Sequence, residues 1–286
     1  MATDHEYKVT LSIYSGRPDP SWVIHPAHAS LKRIKEHHER AKSSNLCHAH
    51  HQIEEKLGYR GFLVHHKDSE HPDLIVGPHT QEFQKTLLET MPKELKTADL
   101  HQRTVQMIST SKAPSDAAKS KPAAQVKGTS DAPTLDLAKW NDDPSITRNN
   151  NCYNYGNDQI TNTFAQPGNA SGHPITALTA QNVKAAAMSD GLKMLDPQPG
   201  SSDPSPPTSA SPSGWWNVAL VVAEGEDYHW YRLDSNELWS HKPGPTKATT
   251  KDGDGNLISD PRKAANAEIP YKFVAFMITN KNVHIK

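Results

Sequence analysis

The sequence predicts an α+β protein: a small N-terminal α/β sandwich domain, a disordered linker, and a C-terminal domain of helix plus antiparallel sheet. Three observations predict it. The chain has 286 residues, which suits two hydrophobic cores of ordinary size better than one. Residues 109–134 are mostly Ala, Ser, Lys and Pro with almost no large apolar side chain, a composition that packs no core. Five of the six tryptophans then follow within residues 135–286, so a separate core begins there.

In the first half, residues 5–14 alternate well enough for a β-strand, ended by the turn residues Ser15-Gly16-Arg17-Pro18-Asp19-Pro20. Residues 31–40 read as a polar helix, and Ile53 to Leu57 as the close of a second. Residues 61–66 and 74–77 are short strands. Residues 80–95 form a helix with Phe83, Leu87 and Leu88 on one face and Thr80 as its N-cap. These elements place the first domain at 1–108. In the second half, residues 177–194 carry good helix formers. Residues 197–213 hold six prolines and many serines, which makes a long loop the expectation. Four strands are expected after it, over 215–223, 227–233, 237–241 and 271–278, from their aromatic and β-branched content. A helix followed by an antiparallel sheet is an α+β plan.

Charge excludes some functions. Lys+Arg 31 against Asp+Glu 32 leaves a formal net charge of −1, which removes the electrostatic argument for nucleic acid or an anionic membrane as partner. No apolar run approaches the roughly 18–20 residues of a membrane span, and the first residues lack a signal-like apolar stretch. A cytoplasmic location is the expectation. Two cysteines, Cys47 and Cys152, exclude a disulfide scaffold.

Twelve of the seventeen histidines lie in the first eighty residues. The densest group is Cys47-His48-Ala49-His50-His51, where a thiolate and imidazoles suit Zn or Cu. If residues 47–51 are helical, Cys47 and His51 share a face and His48 joins from its edge. The competing reading is a solvated polar surface, so no cofactor is required. Asp252-Gly253-Asp254-Gly255-Asn256 opens like a calcium loop. It has Leu257 and Lys263 where that loop needs Gly and Glu, and a hairpin turn is expected instead.

Cys152 follows Asn149-Asn150-Asn151. Those asparagines can cap a helix that starts at Cys152 and can donate to an oxyanion. His229 lies mid-strand, a rigid mount for an imidazole that trades protons. Its orienting partner is left open between His241 on the following strand and Asp260 from a loop. A two-residue turn would set His229 opposite Lys242, and a three-residue turn would set it opposite His241. His229 is favoured over His241 as the base.

Asn-Asn-Cys-Tyr-Asn-Tyr resembles the start of the central helix in papain-like cysteine peptidases. His-Trp-Tyr-Arg-Leu-Asp-Ser-Asn-Glu-Leu-Trp-Ser-His-Lys-Pro-Gly resembles the His-bearing strand of that fold and its successor. The resemblance spans about residues 145–280 and implies a papain-like domain with Cys152 as nucleophile and His229 as base. It departs from that family at Ile146, where a Gln is usual, and at Ser240-His241, where an Asn or Asp is usual. The same half is similar to a mainly bacterial protein family that carries Cys-Tyr-Asn-Tyr, Thr-Phe-Ala-Gln-Pro-Gly and Trp-Ser-His-Lys-Pro-Gly. The functional expectation is a thiol-dependent hydrolase or acyltransferase acting on a peptide or amide substrate. The alternative is a non-enzymatic recognition or defence protein that binds carbohydrate, metal or a protein partner.

Overall fold

The computed structural model describes residues 5–114, 131–195, 207, 212–266 and 268–286. It is a mixed α and β protein with two antiparallel sheets, divided into two compact units. The first unit takes residues up to Ile13, then Asp19–Glu54 and Gly58–Ser120; the second takes Tyr14–Pro18, Glu55–Leu57 and the chain from Lys121 onward. The two short segments are therefore exceptions to a boundary near residue 120. The linker expected over 109–134 falls largely on residues 115–130, outside the described residues. Of its flanks, residues 109 and 110 continue a helix, and the Pro133 carbonyl accepts from the Ser235 N–H at 2.9 Å.

Alternation builds the first sheet. In β1 (Tyr7–Ser12), Tyr7, Val9 and Leu11 are buried while Lys8 faces water. β2 (Ser21–Ile24) pairs with one edge of β1, and β4 (Gly61–His66) pairs with the other. β5 (Asp73–Ile75) and the two-residue β3 (His48–Ala49) complete the order β2-β1-β4-β5-β3. α1 (Leu31–Ser43) buries Ile34, His38 and Ala41, the i, i+4, i+7 stripe of an amphipathic helix. α2 (Gln81–Glu89) buries Phe83, Leu87 and Leu88 as expected, and ends before Met91-Pro92 rather than at 95. α3 (Ala98–Thr110) is not foreseen by the sequence reading. The Thr97 hydroxyl caps it by accepting from the Leu100 N–H, and Leu100, Thr104, Met107 and Ile108 line its buried face. The helix expected to close at Leu57 does not form; Gly58 takes a left-handed φ of 90°.

In the second unit the sheet runs β6-β10-β7-β8-β9. All eight residues of β7 (Trp216–Ala223) and all seven of β8 (Asp227–Leu233) are buried, so both faces are covered and the sequence is not alternating. β9 (Trp239–His241) and β10 (Lys272–Thr279) flank this pair, and the short β6 (Lys193–Met194) adds to the far edge. Among the described residues, four helices complete the unit: α4 (Leu137–Asn141), α5 (Pro144–Asn149), α6 (Cys152–Gly156) and α7 (Ala180–Ser189). α7 is shorter than the expected 177–194 because the Thr179 hydroxyl caps its start and Gly191, at φ 115°, follows its end. The Pro/Ser-rich loop 197–213 lies almost wholly outside the described residues. Residues 252–256 form the expected turn, closed by a Lys251–Leu257 bridge. Among the described residues, no helix is long and apolar enough to cross a membrane.

α6 packs against β8 through a buried ion network. The Arg232 guanidinium donates to Asp234 at 2.7 Å, to Asp158 at 3.0 Å and to the Tyr155 carbonyl at 3.1 Å. Ser240 on β9 donates to Asp234 and meets the Tyr155 hydroxyl at 2.7 Å. A charge this deep is tolerated only when so paired, and the pairing fixes the helix on the strand.

Candidate functional site

The end of α6 that carries Cys152 is shaped by asparagines. The Asn151 side-chain oxygen accepts from the N–H groups of Tyr153 and Asn154 at 3.0 and 3.1 Å, and the Asn154 oxygen accepts from the Asn151 N–H at 3.1 Å. This reciprocal cap starts a helix at Cys152 from a sequence with little helix propensity. The Asn151 amide still has donors to give. It donates to the carbonyl oxygens of Gly16 and Ala165, both at 2.8 Å.

The β8–β9 connection then decides which histidine meets which. Tyr231 pairs with His241 and Leu233 with Trp239, a register one residue from the one expected of a two-residue turn and two from the one expected of a three-residue turn. His241 therefore sits opposite Tyr231, on the same face as His229 two residues away, and reaches His229 diagonally. The His229 Nε2 to His241 Nδ1 distance is 2.8 Å. His241 Nε2 lies 2.9 Å from the Lys251 carbonyl oxygen, and His229 Nδ1 lies 2.6 Å from the Ser15 hydroxyl. That hydroxyl also lies against the Cys152 thiol, as does the Trp230 backbone N–H.

Proton positions follow from the end of this chain. The Lys251 carbonyl can only accept, so His241 carries its proton on Nε2. Burial depresses the pKa of His241 to about 4, which keeps the ring neutral and leaves Nδ1 as an acceptor. His229 must then donate from Nε2, and in its neutral form it holds a lone pair at Nδ1. Ser15 donates to that lone pair, and the Ser15 oxygen is free to accept from the thiol. The direction runs from Cys152 through Ser15 and His229 to His241 and the backbone.

Ser15, Gly16 and Arg17 belong to the second unit and are anchored beside the thiol. Their three consecutive N–H groups donate to Asp227 at 2.6, 3.1 and 3.3 Å, and the Tyr271 hydroxyl donates to the same carboxylate at 2.5 Å. Burial lifts the Asp227 carboxyl to about 6, with these donors pulling the other way. The Gly16 carbonyl oxygen accepts from three side chains: Asn151 at 2.8 Å, Gln166 at 2.9 Å and the Tyr228 hydroxyl at 3.0 Å. Only glycine fits at 16, because a Cβ would lie 2.5 Å from the Tyr228 carbonyl oxygen and still closer to its ring. The pocket is closed: Cys152, Ser15 and His229 have no exposed surface, and burial pushes the Cys152 thiol up to about 12.

The structure brings Cys152, His229, His241 and Asn151 together. It sets the other expected residues elsewhere. Asn149 donates to the Ser145 hydroxyl at 3.0 Å. The Asn150 amide donates to the Ile146 carbonyl and the Asn162 side chain, while its oxygen accepts from the N–H groups of Thr161 and Asn162. Asp260 is held by the Arg262 guanidinium at 2.8 Å, and orients neither imidazole. Lys242 is buried, with its ammonium on the carbonyls of Thr147, Asn150 and Gly244 at 2.5, 2.5 and 2.7 Å. Sequence reading missed Ser15, Gly16, Gln166 and Tyr228. Ser15-Gly16 reads as a turn, and nothing local shows that a segment more than 130 residues from Cys152 lies beside it.

In the first unit, Cys47 does not group with His48 and His51. His48 pairs with Leu74 in the sheet, and His51 stands exposed in a 3-10 turn. Among the described residues, the group whose ligand atoms converge is His38, Cys47 and Asp73, all within 4.8 Å of one another.

Comparison with known proteins adds one relative. Over 125 residues the chain is 47% identical to "Insoluble matrix shell protein 1" of Ruditapes philippinarum, an alignment that covers 44% of this chain and 76% of the relative. The chain belongs to the same family as that shell protein. No family model and no solved structure matches it.

Proposed function

We propose that Cys152 and His229 form a thiol centre for hydrolysis or acyl transfer at an amide bond, held closed by the chain's own Ser15-Gly16-Arg17. One observation carries this reading: a backbone carbonyl, that of Gly16, is held by three side-chain donors beside a thiol that leads through a hydroxyl to an imidazole lone pair. Acyl transfer needs the same parts, a nucleophile, a base and donors aimed at the acyl oxygen. The papain-like assignment has related support. A Cys opens a helix packed on the strand that carries the His, and the third group comes from the next strand.

In this reading Ser15-Gly16-Arg17 withdraws before substrate enters. Cys152 then loses its proton to His229 Nδ1, and the His229 imidazolium is held by the Nδ1 lone pair of His241. The thiolate adds to the amide carbon, while Asn151, Gln166 and Tyr228 donate to the developing oxyanion. His229 returns its proton to the leaving amine as the C–N bond breaks. Water, or an amine acceptor, then releases the acyl group from sulfur with His229 as base. No cofactor takes part. The groove that Gly16 fills favours a peptide or amide substrate with glycine on the acyl side.

The test is site-resolved alkylation of both cysteines across pH 4–9 in the full chain. We expect Cys152 to be slow in the wild type, faster in Gly16→Ala, and slow again in Gly16→Ala/His229→Gln. A Cys152 that reacts only on global unfolding in all three proteins overturns the proposal.

The second reading is a non-enzymatic matrix or recognition protein. The sealed thiol, pushed up to about 12, and the kinship with an insoluble shell matrix protein favour it. It predicts that Cys152→Ser leaves folding and assembly unchanged and that no variant acquires amide turnover. The cytoplasmic placement belongs with the first reading, because a free nucleophilic thiol needs a reducing compartment. Cell fractionation with an antibody to the native chain tests it.

A further inference from the structure

We infer that His38, Cys47 and Asp73 form a zinc-binding site in the first unit. Three kinds of ligand converge there from three places in the fold: an imidazole from the buried face of α1, a thiol from the residue before β3, and a carboxylate from the start of β5. Their ligand atoms lie within 4.8 Å of one another. The antiparallel β3–β5 pairing sets His48 opposite Leu74 and Ala49 opposite Asp73, so Cys47, one residue earlier, falls toward Ile75 and reaches the Asp73 carboxylate diagonally across a shared face. A turn of helix or a run of histidines alone would not do this.

The donor set selects the metal. A thiolate, an imidazole and a carboxylate together suit Zn²⁺, a borderline-soft ion without geometric demands of its own. His38 Nε2 now lies 2.7 Å from the Asp73 oxygen. Bonds of about 2.0–2.3 Å to a shared ion would open that gap to about 3.3 Å and draw the thiol inward. The other ring nitrogen, Nδ1, faces the Tyr7 hydroxyl at 3.4 Å, the outer contact that fixes a ligating imidazole. Three protein ligands leave a fourth position for water. Lys42 opposes the site, its ammonium 3.4 Å from Asp73, but its side chain is half exposed and can turn into solvent. Binding converts the Cys47 S–H to a thiolate, so one proton leaves to the buffer for each zinc bound.

The experiment uses the full chain without an affinity tag, stripped of metal and titrated with zinc against a chelating dye, then with Co²⁺ as a spectroscopic substitute. We expect one tight site, one proton released per ion, and a thiolate-to-cobalt charge-transfer band. Cys47→Ser should remove the band and weaken zinc binding by about 100-fold or more, since losing even an outer partner costs 10–100-fold. Cys47→Ser keeps the His38–Asp73 contact, so its unfolding in chelator should match the wild type and show that the fold is intact. His38→Gln should also weaken binding. A band that survives Cys47→Ser, or zinc binding that neither variant changes, overturns the site. Neither result bears on Cys152.

Discussion

The two cysteines have thiols raised in pKa by the same cause but set among different neighbours. Burial pushes each up to about 12. Cys47 is only partly buried, beside a carboxylate and an imidazole that can turn toward a shared ion. Cys152 has no exposed surface and faces a hydroxyl that leads to two histidines in a fixed order. A raised thiol pKa therefore does not describe a site. Its neighbours decide whether displacing the proton yields a metal ligand or a nucleophile, and exposure decides what can reach it.

The carboxylates make the sharpest test of this contrast. Asp227 accepts from four donors, three of them buried, so Asp227→Ala should leave them unpaired and destabilise the second unit by about 4 kcal/mol. Denaturant unfolding followed by tryptophan fluorescence measures this, since five of the six tryptophans lie beyond residue 134. Loss of only a few tenths would mean that water reaches those donors and the pocket is open.

The pH profile should show the order of the histidines. His241 is held near pKa 4 when folded against 6.5 in the open chain. Its contribution to stability is full above pH 6.5 and is lost as pH falls toward 4. Asp227 has the opposite sign: its contribution is present below pH 3.8 and is lost as pH rises through about 6. The two oppose each other in the wild type. Removing the first by His241→Asn should make the unfolding free energy gain on the wild type by on the order of 3 kcal/mol between pH 6.5 and 4. Parallel profiles for the two proteins would show that His241 titrates normally.

Gly16→Ala should cost about 2 kcal/mol, because the added methyl meets a backbone oxygen that cannot move aside. Differential scanning calorimetry of the full chain measures it, and an unchanged transition would mean that the segment is not seated. The smallest effect is expected at Asp73→Ala in metal-free protein, about 1 kcal/mol, since the carboxylate is itself partly exposed and its partner Lys42 is half in water, with only His38 buried. A cost equal to that of Asp227→Ala would erase the difference between the two regions.

Much of the fold was legible. The strands at 61–66, 216–223 and 227–233, the start of α1 and the apolar face of α2 follow from periodicity and composition. Cys152 at the start of a helix was legible in its asparagines. α3 was missed because its apolar stripe is sparse and runs into the linker composition. The very short strands β3 and β6 have too few residues for a pattern. Both expected registers for His229 and His241 failed by a residue or more, because the five-residue connection from Asp234 to Leu238 carries no sequence mark of its length.

The sequence by itself determined most of the longer elements, the two cores and the chemical types present: thiols, imidazoles and carboxylates in known order. These follow from side-chain spacing, which local physics reads directly. Only the tertiary structure decided which of them meet. It set Ser15 and Gly16 beside Cys152, gave His229 to His241 and Asp260 to Arg262, and took Cys47 from its neighbours His48 and His51 to His38 and Asp73. Strand register and chain return fix such contacts, and both depend on packing between residues far apart in the chain.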